Sequence, residues 1–537
     1  MQKDFSLLIY QILKTKFNFT EFRKGQYEAI HTLMTKDRLL CIQPTGYGKS
    51  LLYQLPALLL DGITLVISPL LALVRDQLKQ LHERFGIAAT SFNSDQSMQE
   101  NNAAREQLLQ GKIKILFISP EQLDNLTKFN FLLNLPIQLL VVDEAHCIST
   151  WGHDFRPSYR YIIKLIEALV NKNQDLKILA LTATANKKTE ADIKTQLSID
   201  KRKITVHRES MHRPNIRLTV LHTRSAPTKL ATVIALLKKE NNKRLLEGNG
   251  LIYCATRENT EIVAEYLLSQ GINTAAYHAG METARKKQIQ QNFLSNEYHV
   301  IVATNALGMG IDKSNLRFII HFDVPGSITA YYQEVGRCGR DGLPADGVLL
   351  YDQKDVRIQK HFIESSQPRA EDFQKVNEVI KKSADSINLA GLKQLTGMHP
   401  NKLNVALTEL IEQGYVKKVL RYQSQFYQVV PKAGKLNLKR YLTQYKSKYA
   451  ELFAMQNYAE QTEKCAMSLL QIALGDKSAK ACHQCSHCTE SPFLFSKDIN
   501  CIDETNDWFE ERAVRSRQNK KLNLNNLKTY SREVITT

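Results

Sequence analysis

The chain has 537 residues, of which 43% are hydrophobic and 23% charged, the balance of an ordinary globular protein with room for about three or four domains. Of its nine cysteines four cluster late, and the scattered five (Cys41, Cys147, Cys254, Cys338, Cys501) show no disulfide framework, which points to a reducing, cytoplasmic compartment. A net charge of +18 predicts a polyanionic partner such as nucleic acid.

The N-terminus carries Asp4 early and reads as lacking a secretory signal. Phe19-Thr20-Glu21-Phe22-Arg23-Lys24-Gly25-Gln26 follows. An aromatic ring there can stack on a base, while Arg23 and Gln26 can read its polar edge.

A short apolar strand, Leu39–Ile42, then leads into Gln43-Pro44-Thr45-Gly46-Tyr47-Gly48-Lys49-Ser50 and the helix-like Leu51–Leu60. A glycine-bearing turn before a helix points backbone N–H groups and the positive dipole end at one spot. That makes a phosphate cradle in which Thr45, Gly46 and Gly48 shape the loop. Lys49 can reach the β- and γ-phosphates of ATP, and the Ser50 hydroxyl can ligate Mg²⁺. The first glycine of the usual pattern is replaced by Gln43.

Leu55–Val74 is apolar, but Pro56, Asp61, Gly62 and Pro69 interrupt it, so it predicts a helix and a buried strand, not a membrane span. Further apolar strands end at Ser68-Pro69-Leu70, Ser119-Pro120-Glu121, Asp143-Glu144-Ala145-His146 and Thr182-Ala183-Thr184. Strands alternating with helical patterns predict a parallel α/β sheet, with ligands beyond the strand carboxyl ends. Asp143 is placed as a second Mg²⁺ ligand, and Glu144 to orient the attacking water.

The order of these motifs resembles superfamily-two helicases. Trp151-Gly152-His153-Asp154-Phe155-Arg156-Pro157 is similar to the aromatic-rich loop of RecQ-type DNA helicases. Phe22-Arg23-x-Gly25-Gln26 is similar to their adenine-reading motif, with Phe19 where the family usually has tyrosine. Trp151 and Phe155 can stack on unpaired bases, and Arg156 can hold a phosphate.

Residues 201–353 repeat the strand–helix rhythm without a second phosphate loop, so a nucleotide held between two lobes is expected. Gln333-Glu334-Val335-Gly336-Arg337-Cys338-Gly339-Arg340-Asp341-Gly342 is similar to the helicase family's last motif. The resemblance assigns Gln333, Arg337 and Arg340 to the catalytic set, with Arg340 on the γ-phosphate and Arg337 in support.

Residues 354–372 read as a polar connector. Three short helices and a hairpin over 373–430 predict a winged-helix-like module, the alternative being a helical spacer. Lys402, Lys417 and Tyr422 are its candidate DNA contacts, with Tyr422 either a strand-separating wedge or a packing residue.

Cys465, Cys482, Cys485 and Cys488 suit tetrahedral Zn²⁺, and His483 and His487 border them. Their spacing resembles the structural zinc module of RecQ enzymes, expected here over 440–490. Residues 491–537 read as a basic tail, either an arm for backbone phosphates or a disordered terminus.

The fold expectation is therefore α/β: two RecA-like parallel-sheet domains over 1–200 and 201–353, a winged-helix-like module and a helical zinc module. The resemblance implies an ATP-hydrolysing helicase acting on single-stranded and duplex DNA with 3′→5′ polarity. The alternatives are an RNA helicase and a non-hydrolysing scaffold. No membrane partner is expected.

Overall fold

The computed structural model describes residues 2–489 and 503–512, apart from residues 70, 94–95, 150–158, 200–201, 241–242, 245, 308–312, 367, 384–385, 422–423 and 432–435.

The first lobe is built on β1 (Arg38–Ile42), β2 (Ile63–Ile67), β3 (Ala89–Phe92), β4 (Ile115–Ile118), β5 (Ile137–Val142), β6 (Lys177–Thr182) and β7 (Thr205–Arg208). They form one sheet in the order β3-β4-β2-β5-β6-β1-β7. Every pairing is parallel. Parallel neighbours need crossovers, which helices such as Leu51–Leu59 and Tyr159–Lys172 supply. Successive residues of β1 face opposite sides, so Leu40 and Ile42 join one core while Leu39 and Cys41 join the other. Burial on both faces explains why these strands read as unbroken apolar runs. The first sheet extends past residue 200, because β7 pairs in register with β1 from Leu39↔Thr205 to Ile42↔Arg208.

The second lobe holds β8 (Ile216–His222), a small hairpin of β9 (Lys239–Glu240) and β10 (Lys243–Arg244), then β11 (Asn249–Tyr253), β12 (Thr274–Tyr277), β13 (Val300–Ala303), β14 (Leu316–His321) and β15 (Ala345–Tyr351). Its main sheet is also parallel, in the order β12-β13-β11-β14-β15-β8. Residues 354–372 are more than a connector. Asp355–Ser366 is a helix, and Asp355 meets the buried Lys229 at 2.5 Å. Lys229 also donates to Phe322 O at 2.7 Å, which satisfies a cation that burial would otherwise penalise.

Helices Ala370–Lys382, Leu389–Thr396 and Pro400–Glu412 pack around a separate core that includes Phe373, Val376, Leu403 and Leu407. With β16 (Ile387–Asn388), β17 (Val416–Arg421) and β18 (Ser424–Val429), paired antiparallel as β16-β18-β17, they form a unit of three helices and a small sheet over the span read as winged-helix-like. Its Lys418 Nζ reaches Asp124 Oδ2 of the first lobe at 2.5 Å.

The long helix Lys439–Glu460 and the helix Ala466–Ala473 lead to the cysteine loop. That loop covers the open edge of the second sheet, where Ser486 N donates to Leu218 O at 2.9 Å. Within the span read as a basic tail, residues 503–512 are helical. Trp508 packs on Tyr266 with ring centroids 4.9 Å apart, and Thr505 Oγ1 lies 2.8 Å from the Tyr266 hydroxyl. Among the described residues no helix is long and apolar enough to cross a membrane.

Candidate nucleotide site and cysteine centre

Strand β1 delivers the chain to the phosphate loop, where Gly46 (φ +83°) and Gly48 (φ +77°) adopt left-handed backbone that side chains resist. Space is also short there. A Cβ on Gly48 would lie 2.8 Å from Gln26 Nε2, and one on Gly46 would lie 3.3 Å from Arg340 Cγ. The loop is thus held between a first-lobe glutamine and a second-lobe arginine.

The loop's carbonyls are bound from the N-terminal motif. Arg23 Nη1 donates to Gly46 O at 2.5 Å, and Gln26 Nε2 donates to Tyr47 O and Gly48 O at 3.1 and 3.2 Å. The Arg23 amide donates to Gln26 Oε1 at 2.9 Å, which fixes the amide's orientation. The Phe19 ring is partly exposed, with the Arg84 guanidinium 5.6 Å from its centroid. Lys49 Nζ donates to Gln43 O and Pro44 O at 3.1 and 3.2 Å. Burial pulls the Lys49 pKa down, while the Glu144 and Asp143 carboxylates oppose that shift.

Asp143 follows β5, and its Oδ2 accepts from Ser68 Oγ at 2.9 Å. Burial pushes its pKa up to about 6, with the Glu144 charge adding and Ser68 and Lys49 pulling back. Glu144 sits at φ +48°, ψ 47°, a conformation that non-glycine residues adopt mostly under structural constraint. Its Oε2 lies 3.2 Å from His146 Nδ1, which is also 3.2 Å from Thr182 Oγ1.

The second lobe closes the cleft. Gln333 Nε2 donates to Thr184 Oγ1 at 3.2 Å. Gln333, Arg337 and Arg340 line the same cleft of about 630 Å³ as Phe19, Arg23, Gln26, Lys49 and Ser50. Thr45, Gly46, Gly48, Asp143 and Glu144 line it too. Every candidate nucleotide residue is therefore brought to one place. Sequence reasoning passed over Arg213, which bonds Thr45 O of the phosphate loop and Gly336 O of the arginine segment at 3.1 and 2.9 Å. The available signal was the Arg213-Pro214-Asn215 run between the two lobes.

The four cysteine sulfurs lie within 4.8 Å of one another. The Sγ atoms are 3.5 Å apart in Cys465–Cys482 and Cys485–Cys488, and 3.8 Å apart in Cys465–Cys485. Four sulfurs around Zn²⁺ at about 2.3 Å would stand roughly 3.8 Å apart, so the set fits that ion. Backbone amides of Ala466, Ser468 and Cys482 donate to these sulfurs, support suited to thiolates. His487 Nδ1 is engaged with Lys464 O at 2.8 Å, outside the sulfur set.

The candidate DNA residues fare differently. Trp151, Phe155, Arg156 and Tyr422 lie outside the described residues. Lys417 is exposed on β17. Lys402 pairs with Asp372 at 2.8 Å inside the winged-helix-like module, so its charge is already engaged.

Two RecA-like sheets, a phosphate loop on one and arginines presented by the other, define the class of two-lobed nucleotide-dependent helicase folds. The DEAD/DEAH box helicase family matches residues 23–193, and the helicase conserved C-terminal domain matches residues 228–342. The chain is 42% identical over 377 residues to the ATP-dependent DNA helicase RecQ of Haemophilus influenzae, covering 70% of this chain and 58% of that protein. It is 39% identical over 378 residues to the probable ATP-dependent DNA helicase RecS of Bacillus subtilis, covering 70% and 73% respectively. The chain belongs to the RecQ family of superfamily-two helicases. It spans 58% and 52% of the RecQ proteins of H. influenzae and Pasteurella multocida. Among solved structures, the DUF1998 helicase MrfA bound to DNA shares the fold with a TM-score of 0.52 and 18% identity over 79% of this chain and 62% of that one. Saccharomyces cerevisiae Dbp5 bound to RNA and ADP BeF3 does so with a TM-score of 0.51 and 17% identity, over 66% and 90%.

Proposed function

We propose that the protein is an ATP-dependent DNA helicase that translocates 3′→5′ on single-stranded DNA and unwinds duplex or branched DNA in recombination and repair. The observation that carries this reading is Arg340 of the second lobe packed 3.3 Å from the Cβ position of Gly46 in the phosphate loop. A cation supplied by the second lobe to a phosphate loop on the first would make hydrolysis depend on how the two lobes are set against each other.

In this reading Phe19 stacks on adenine, and Arg23 and Gln26 bind its edge and brace the loop. Thr45, Gly46, Gly48 and Lys49 hold the phosphates. Ser50 and Asp143 would hold Mg²⁺, which would supply positive charge to offset that of the phosphates. Glu144 orients and deprotonates the attacking water, and Arg340, supported by Arg337, stabilises charge at the γ-phosphate. Gln333 ties this geometry to Thr184. Zinc held by Cys465, Cys482, Cys485 and Cys488 is structural. Trp151, Phe155 and Arg156 contact single-stranded DNA, while Lys417 and Tyr422 meet the duplex.

The test is ATP hydrolysis with and without single-stranded DNA, alongside strand separation of 3′-tailed and 5′-tailed duplexes and matched RNA. DNA-stimulated turnover with opening of 3′-tailed DNA supports the reading. Preference for RNA duplexes, or hydrolysis without strand separation, would overturn it.

A further inference from the structure

Arg213 lies in the segment between β7 and β8, where the chain passes from one lobe to the other. Its side chain is buried. Nη1 donates to Thr45 O at 3.1 Å and Gly336 O at 2.9 Å, and Nη2 donates to Cys338 O at 3.0 Å and Gly339 O at 3.1 Å. Asn215, two residues on, donates to Gly339 O at 2.7 Å and Leu343 O at 2.9 Å.

Three of the four carbonyls on Arg213 belong to the turn that carries Arg337 and Arg340. The fourth belongs to the phosphate loop, one residue before Gly46. A guanidinium is a rigid, planar fork, so these bonds relate the two segments by a fixed geometry. The backbone around Arg213 is itself held. Asp476 Oδ2 accepts from Met211 N at 2.7 Å, and the Tyr332 hydroxyl donates to Met211 O at 2.8 Å. Arg213 is not among the residues that line the nucleotide cleft. It bonds the main chain from behind.

We infer that Arg213 is a positioning residue for ATP hydrolysis, setting the distance from the phosphate loop to Arg337 and Arg340 by binding carbonyls of both lobes. The inference rests on the ATPase reading above. A lysine keeps the charge but has one ammonium centre, which cannot reproduce the fork.

The experiment measures DNA-stimulated ATPase of wild type, Arg213→Lys and Arg213→Gln, with affinity for a fluorescent non-hydrolysable ATP analogue and thermal melting on the same samples. The expected result is a kcat lower by about 10–100-fold, since a displacement near 1 Å can cost that much, with KM and analogue affinity within about threefold. Melting of Arg213→Lys should stay near wild type. If the glutamine variant does not fold, the lysine variant decides. Wild-type kcat in a folded variant overturns the inference, as does a loss that tracks the folded fraction or appears only in KM. Loss of folding in both variants also overturns it, because Arg213 would then be a stability residue. An inactive wild type would instead refute the ATPase reading.

Discussion

Gln333 Nε2, on the second lobe, donates to Thr184 Oγ1 on the first at 3.2 Å. Thr184 O accepts from Thr182 Oγ1 at 3.0 Å, and that hydroxyl lies 3.2 Å from His146 Nδ1, which faces Glu144. A polar chain thus runs from the Glu144 carboxylate to the facing lobe. A neutral hydrogen bond contributes about 0.5–1.5 kcal/mol, so Thr184→Ala and Gln333→Ala should each lower DNA-stimulated turnover by roughly 2–10-fold. If the two act through one bond, the double variant is no worse than the poorer single. Additive losses in that cycle would show two separate roles.

Lys49 and Glu144 should separate binding from chemistry. Lys49→Ala removes the cation proposed to bind the phosphates and should abolish hydrolysis while weakening nucleotide affinity. Glu144→Gln keeps the shape but loses the base, which should cost about 10²–10⁴-fold in kcat while ATP stays bound. Equilibrium binding and single-turnover assays read the two effects. Turnover at wild-type rate in Glu144→Gln would remove the water-orienting role.

The cysteine cluster predicts one zinc per purified chain. Cys485 is fully buried, so Cys485→Ser should lose the metal, lower the melting temperature and increase protease sensitivity. A strong chelator should shift the wild type in the same direction. Elemental analysis that finds no zinc in folded, active protein would refute the assignment.

Asp476 gives a pH dependence. Burial alone would raise its pKa, but hydrogen bonds from Ser478 and Gln471 and from the Ser478 and Met211 amides hold it well below the usual carboxylate range. A depressed folded pKa means the unfolded chain takes up the proton first. The stabilisation is therefore full above the unfolded value of about 3.9 and is lost as pH falls through the folded one. Asp476→Asn should be less stable than wild type to urea at pH 7, by about 1–3 kcal/mol, with the gap narrowing below about pH 4. A gap that stays constant with pH would mean the carboxylate charge is not what stabilises the loop.

The sequence by itself determined the local chemistry. Gly46, Gly48, Lys49 and Ser50 are contiguous, so their spacing alone states a phosphate cradle, and strand burial on two faces left β1, β2, β4 and β5 visible as apolar runs. The close Cys482, Cys485, Cys488 trio was legible for the same reason. The edge strands β3 and β7 were not, because Ala89–Phe92 and Thr205–Arg208 are short and carry mixed side chains. Only the tertiary structure decided what depends on distant segments meeting. Arg213 is separated from Thr45 by 168 positions, and Gln333 from Thr184 by 149. Lys402 reads as a free cation until Asp372 is seen beside it. Residues 503–512 read as polar tail until Trp508 finds Tyr266. Spacing along the chain encodes a turn or a metal loop, whereas a bond to a main-chain carbonyl leaves no mark on the identity of the residue that accepts it.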